Sequence, residues 1–260
     1  MAIWALVTGA SEGLGHEFAT LAAKDGFDVI LSARQADKLE AHATALRRAY
    51  NVQVVVIPYD LTDPVAVERL WDDASAGRQI GVLVNNAGLG RNGAFADATG
   101  WPREADCIAV NIIAATILMK RAAVHMLTHR AGRILNVASV AGFVPGPNMA
   151  VYHASKAYFL SLSEAVSEEL RGTGVTLTAL CPGATATQFF AADNAVKATL
   201  LTKIPLPSAQ SVAIAGWAAM TKGQRVKVPG VMNKISAFLP RITPRRVNSF
   251  ITGQLLKRRG

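Results

Sequence analysis

The opening of the chain constrains its fold more than any other stretch. Ile3-Trp4-Ala5-Leu6-Val7 is an apolar run of strand length. It leads without interruption into Thr8-Gly9-Ala10-Ser11-Glu12-Gly13-Leu14-Gly15, after which apolar residues recur at helical spacing through Phe18, Leu21 and Ala22. Strand, glycine turn and helix in this order form a unit suited to dinucleotides. The glycines let the backbone turn tightly and approach a pyrophosphate, while the unpaired N–H groups of the helix start attract its charge. Glycines at 9, 13 and 15 do not follow the G-x-G-x-x-G spacing. Taken alone, such a turn is equally well a plain connection.

Further along, Asp28 to Ser32, Val52 to Pro58, Val82 to Val84, Arg133 to Val137 and Val175 to Leu180 read as strands, with helical patterns near 35–50, 63–76, 101–129 and 150–171. This alternation predicts an α/β fold, a Rossmann-type doubly wound parallel sheet covered on both faces. With 260 residues, 51% of them hydrophobic, and no linker-like stretch, the chain reads as a single domain over residues 1–260, ending in a basic, atypical segment from about residue 222. Its two cysteines, Cys107 and Cys181, indicate neither a disulfide framework nor a metal site and fit a cytoplasmic setting. The start shows no basic region ahead of an apolar stretch, so no secretory signal is expected. The uncharged stretch from Ile134 to Ser155 contains Gly142, Pro145, Gly146 and Pro147, which makes it strand plus loop rather than a membrane span.

Candidate chemistry centres on Tyr152-x-x-x-Lys156, with Ser139 thirteen residues before the tyrosine. Residues four apart share a helix face. A phenol has an ordinary pKa of about 10, and a fixed ammonium nearby favours the phenolate and draws that value toward neutrality. Ser139 can hold a carbonyl or hydroxyl oxygen beside the phenol. The bland alternative is an amphipathic helix with a snorkelling lysine.

Two strand ends read as nucleotide contacts. The second strand closes on Ala33-Arg34 rather than on an acid that would bond a ribose diol, and Arg34 would attract a 2′-phosphate instead. After the third strand, Asp60-Leu61 offers a carboxylate and an apolar side chain to an adenine. Asp60 by itself is equally a turn or capping residue.

Together, Thr8-Gly9-x-x-x-Gly13-x-Gly15, Asp60, Asn85-Asn86-Ala87-Gly88, Asn111, Ser139, Tyr152-x-x-x-Lys156 and Pro182-Gly183 resemble the short-chain dehydrogenase/reductase family in order and spacing over about residues 1–190. The resemblance implies a Rossmann-type fold, a nicotinamide dinucleotide and hydride transfer at a carbonyl or alcohol carbon, in a homodimer or homotetramer. It implies Tyr152 as general acid or base, Lys156 as its pKa-lowering neighbour and ribose contact, Ser139 as substrate-orienting hydroxyl, and Asn111 as holder of a water that links Lys156 to solvent. A buried, satisfied amide is the plainer role for Asn111. The cofactor contacts it implies are Gly9, Ser11, Glu12, Gly13, Leu14, Gly15, Arg34, Asp60, Leu61, Asn85, Ala87, Gly88, Pro182, Gly183, Thr185 and Thr187, besides Tyr152 and Lys156. NADP(H) is favoured by Arg34. NAD(H) stays open because Glu12 stands where some NADPH-preferring relatives carry a base; it would repel the phosphate or bond Arg34.

The net charge of +9 is unevenly spread. Residues 1–193 hold 15 basic and all 18 acidic residues, whereas residues 194–260 hold 12 basic residues and no acid. There Val231-Met232-Asn233-Lys234, Phe238-Leu239-Pro240, Arg245-Arg246-Val247 and Leu255-Leu256-Lys257-Arg258-Arg259 mix apolar and cationic side chains. Such a mixture suits peripheral contact with an anionic membrane, an acyl thioester substrate, or simply a solvated tail. Nucleic acid is disfavoured, since no recognition motif accompanies the charge. Candidate pocket residues Val140, Ala141, Phe143, Met149, Phe189 and Phe190 are apolar and suit an acyl, steroid-like or aromatic carbonyl. A nucleotide-sensing or scaffolding protein without turnover is the rival class, opposed by the presence of Ser139, Tyr152 and Lys156 together.

Overall fold

The computed structural model describes residues 2–186 and 206–257. β1 (Ile3–Thr8) leads to α1 (Gly13–Lys24), β2 (Asp28–Ser32) to α2 (Ala36–Tyr50) and β3 (Val54–Val56) to α3 (Pro64–Ser75). β4 (Gln79–Asn85) is followed by α4 (Trp101–Ile108), a π-helical turn at Ala109–Ala114 and α5 (Ala115–Thr128), which join into one long helix. Then come β5 (Gly132–Val137), a 3-10 turn at Val140–Phe143, α6 (Ala150–Glu169) and β6 (Val175–Leu180). The described part of the C-terminal quarter contributes α7 (Ala209–Thr221), β7 (Val226–Lys227), α8 (Val231–Phe238), a 3-10 turn at Leu239–Arg241 and α9 (Arg245–Leu256).

Among the described residues, seven strands form one parallel sheet in the order β3-β2-β1-β4-β5-β6-β7. Val7 pairs with Leu31 on one side and Val84 on the other, so strand order reverses at β1. Ligands bind such sheets at this reversal, outside the carboxyl ends of the strands. Alternate residues serve opposite faces. Leu6, Ile30, Leu83 and Ile134 pack with Trp71, Leu118 and Met126, while Val7, Leu31, Val84 and Leu135 pack with Phe18, Leu39 and Trp217. Burial on both faces explains why the strands read as unbroken apolar runs.

Boundaries moved where tertiary pairing overrode composition. β3 is an edge strand and keeps only Val54–Val56, whereas β4 begins at Gln79 because that residue pairs with Ile3. The long helix Trp101–Thr128 is apolar and long enough, by length and composition, to cross a membrane. Half of its apolar window is buried inside the fold, and Leu118, Ala122 and Met126 pack it into the core. The π turn at its centre places Asn111 inside the molecule, the usual association of such turns being with functional sites.

Candidate active site

A cleft of about 620 Å³ opens at the carboxyl ends of the strands. Gly9 to Leu14 give way to Ala33-Arg34, Tyr59 to Thr62, Asn86 to Gly90, Val137 to Ala141 and Pro182 to Thr185, each segment following one strand. The fold thus gathers residues far apart in sequence onto one rim.

Its floor at the β1 turn is a glycine turn ahead of a helix start. α1 begins at Gly13 behind Glu12, whose side chain makes no capping bond, so the first-turn N–H groups are left to a ligand. Gly9 has φ +64°. Gly15 does not face the cleft: a Cβ there would overlap the carbonyl oxygen of Gly9, so its role is to let the helix meet the turn.

Around the adjoining rim, Arg34 lines the cleft, is exposed and joins no ion pair among the described residues. Glu12 pairs with Lys38 at 3.2 Å rather than with Arg34. The acid that left NAD(H) open is therefore partly neutralised by a lysine the sequence did not bring forward. Asp60 accepts bonds from the Thr62 N–H and hydroxyl, both at 3.0 Å, while still lining the cleft beside the buried Leu61.

Past β4, the asparagine expected to face the cofactor does not. Asn85 is buried and donates to the Ala115 carbonyl at 2.7 Å, tying β4 to α5. Its neighbour Asn86 lines the cleft and donates to the Thr8 carbonyl at 2.9 Å, because successive residues of an extended chain point to opposite sides. Thr8 Oγ1 in turn accepts the N–H groups of Asn86 and Ala87, each at 3.0 Å, and locks this loop to the glycine turn. Thr187 lies outside the described residues, as do Phe189 and Phe190.

At the centre, α6 carries Tyr152 and Lys156 one turn apart and buries both. Lys156 Nζ donates to the Val137 carbonyl at 2.9 Å and sits 5.8 Å from the centroid of the Tyr152 ring. Ser139 follows β5, donates to the Pro182 carbonyl at 3.4 Å and bonds the Tyr152 hydroxyl. Burial pushes the Tyr152 phenol up to about 12, with the Ser139 bond opposing it. Burial also lowers Lys156 to about 8. In this fold, desolvation outweighs any pull of the lysine on the phenol, and it weakens the lysine's own charge as well. A phenol held protonated in this way suits proton donation to a substrate oxygen.

Both ends of the Asn111 amide are held in this fold. Its Oδ1 accepts the Leu89 N–H at 2.8 Å, and its Nδ2 lies 2.9 Å from the Leu89 carbonyl and 3.0 Å from Ser155 Oγ. A Cβ on Gly88 would stand 3.4 Å from Asn111 Oδ1 and 3.5 Å from Lys156 Nζ, so the bare glycine preserves the space between them. Cys107 and Cys181 are buried free thiols beside this network. Burial raises both, Cys181 to about 12, which leaves neither as a nucleophile at neutral pH.

Residues 3–198 match the model of the short chain dehydrogenase family. The chain belongs to that family. Its members are dehydrogenases and reductases of CH–OH and C=O groups that use nicotinamide dinucleotides. Over 191 residues the chain is 34% identical to 17-beta-hydroxysteroid dehydrogenase type 3 of Homo sapiens, covering 72% of this chain and 60% of that protein. It is also 34% identical over 176 residues to the very-long-chain 3-oxoacyl-CoA reductase of Coprinopsis cinerea, covering 66% of this chain and 51% of that one. The chain thus spans between half and three fifths of these curated relatives. Among solved structures, a short-chain dehydrogenase from Sphingobium yanoikuyae in complex with NADPH superposes with a TM-score of 0.80 at 28% identity, over 94% of this chain and 96% of that one.

What lies beyond the match to the short chain dehydrogenase family closes the cleft from above. Asn233, Ser236, Leu239, Pro240, Asn248, Ile251, Thr252, Leu255 and Leu256 line it from α8, the following turn and α9. Asn233 donates to the Pro229 carbonyl at 2.7 Å and abuts Gly183, where a side chain would overlap its amide. His153 donates from Nδ1 to the Val144 carbonyl at 2.9 Å, burial keeping its pKa low, and so fixes the loop beneath α9. Of the apolar residues expected in the pocket, Val140, Ala141 and Met149 line it, whereas Phe143 packs against the core cluster that includes Ala115 and Phe159. The lining residues of α8 and α9 carried no motif; the sequence showed only the mixture of apolar and cationic residues that begins at Val231-Met232-Asn233-Lys234.

Proposed function

We propose that this short-chain dehydrogenase is an NADP(H)-linked reductase of bulky apolar ketones, of the steroid-like or 3-oxoacyl kind. The observation that carries the chemistry is the buried cluster of Ser139, Tyr152 and Lys156 at the mouth of β5, facing a cleft whose far end is an uncapped helix start behind a glycine turn. When bound, the nicotinamide dinucleotide supplies or accepts the hydride. Gly9, Gly13 and the first turn of α1 would hold its phosphates, Asn86 to Gly88 its adenosine side, and Pro182 to Thr185 its amide end. Arg34, free of ion pairs among the described residues, would take a 2′-phosphate, with Lys38 offsetting Glu12. The NADPH-bound neighbour and the hydroxysteroid and 3-oxoacyl-CoA relatives support this choice of cofactor and substrate class.

Ser139 and Tyr152 orient the carbonyl oxygen by hydrogen bonding, and Tyr152 donates the proton as the carbon is reduced. Lys156 supports the phenolate left behind. The space at Gly88 between Asn111 and Lys156 would hold the water that returns a proton. Self-association is supported by the outward apolar side chains Ile113, Val124 and Leu127 of the long helix and Tyr158 of α6, all at least 40% exposed.

The test is NADPH oxidation by the purified protein across steroid, aromatic and medium-chain acyl ketones. Turnover of some members, lowered by about a thousand-fold in Tyr152→Phe with NADPH affinity kept, supports the reading. Tight NADPH binding without turnover on any ketone would point to a sensing role instead.

A further inference from the structure

We infer that the outer face of α8 and α9 docks on an anionic lipid bilayer and sets the mouth of the cleft against it. Val231, Ile235 and Phe238 fall at i, i+4 and i+7 of α8 and share one face, and all are exposed, at 72%, 45% and 56%. Met232 and Ile242 (73% and 68%) extend this surface, and Phe250 of α9 is 67% exposed. Isolated apolar side chains on a surface need no explanation, but so many on two short helices and their connection do. Leu239, Ile251 and Leu255 line the cleft and remain 44%, 50% and 40% exposed, so exposed apolar side chains of the same segments reach the cleft mouth.

Charge decides the occupant. Lys234, Arg241, Arg245, Arg246 and Lys257 are exposed on the same two helices and their ends, none in an ion pair among the described residues, and the segment from residue 194 onward contains no acid. A two-fold contact between two copies of this face would set cation against cation. Anionic headgroups answer the cations while acyl chains take up the apolar side chains, the pattern of interfacial helices. The consequence for substrate, entry of a bilayer-resident ketone through the mouth, rests on the reading above; the docking does not.

Flotation of the full chain with phosphatidylcholine vesicles, with and without phosphatidylglycerol, tests the inference. Binding should strengthen at least about ten-fold with the anionic lipid and weaken with salt. It should be lost in Met232→Ser/Phe250→Ser and in Arg241→Glu/Arg245→Glu/Arg246→Glu, none of which lines the cleft. Reduction of a small water-soluble ketone should stay unchanged in both variants, which shows that they fold. Equal binding to neutral vesicles, or no binding at all, would overturn the inference. So would a fall in solution mass for Met232→Ser/Phe250→Ser, which would make the face a contact between copies. Vesicle binding by a protein that reduces no ketone would sink the enzymatic reading while leaving the docking intact.

Discussion

β1 buries five of its six residues, whereas α8 buries one of eight and α9 two of twelve. The turn after β1 and these two helices face each other across the same cleft. Below, the glycine turn and strand ends are fixed by backbone contacts to neighbouring strands, so a change there disturbs the whole site. Above, the helices rest on the floor through a few contacts, among them Asn233 on Gly183 and Gly253 on Pro147. Sparse burial of this kind marks segments of low local stability. In the proposed reading, the floor sets the chemistry and the cap sets what can enter.

The sharpest way to break this division is to add one methyl group to each region. Gly15→Ala would drive a Cβ into the Gly9 carbonyl, so NADPH affinity should fall by about a hundred-fold or more and the melting temperature should drop. Gly253→Ala meets only Pro147, at 3.3 and 3.4 Å, and should leave affinity within about two-fold. Calorimetric titration that shows equal losses would erase the distinction.

Next in size, Arg34→Ala should weaken NADPH about ten- to a hundred-fold and leave NADH nearly unchanged, if this rim of the floor reads the 2′-phosphate. Equal losses for both dinucleotides would assign Arg34 to the fold instead. In the cap, Leu255→Ala should raise KM for a bulky ketone about five-fold and leave a small ketone unaffected, the signature of lost uniform binding. A fall in kcat for both ketones would mean that the cap shapes the chemistry too.

The smallest effect is on pH dependence. Lys156 is charged below about 8 and neutral above it. Reductive kcat/KM should therefore hold steady from neutrality to about pH 8 and decline above, as support for the developing phenolate is lost. Oxidation of the alcohol needs the phenolate, whose acid is held near 12, so the reverse rate should be low at neutrality and limited by the small phenolate fraction. A reductive profile that rises above pH 8 would contradict this account.

The strands and their parallel arrangement were largely legible because parallel strands buried on both faces must be continuous apolar runs, as Val29 to Leu31 and Val82 to Val84 are. Tyr152, Lys156 and Ser139 were legible because helix spacing and a strand end place them near one another. Asn85 and Asn86 were not separable, since adjacent polar residues at a strand end differ only in which side they face. Lys38 escaped notice because its partner Glu12 is 26 residues away in sequence. The helices of the cap escaped because periodicity alone does not say which apolar face meets the cleft and which meets solvent.

By itself, the sequence determined the strand–turn–helix start, the alternation behind it and the presence of a phenol, an amine and a hydroxyl in workable spacing. These follow from local sterics and periodicity, which act between near neighbours. Only the tertiary structure decided how deeply Tyr152 and Lys156 are buried, that Gly15 packs the helix against the Gly9 carbonyl, and that a basic C-terminal segment roofs the cleft. Desolvation and close approach depend on atoms brought together from across the chain, and no residue carries that information in its own neighbourhood.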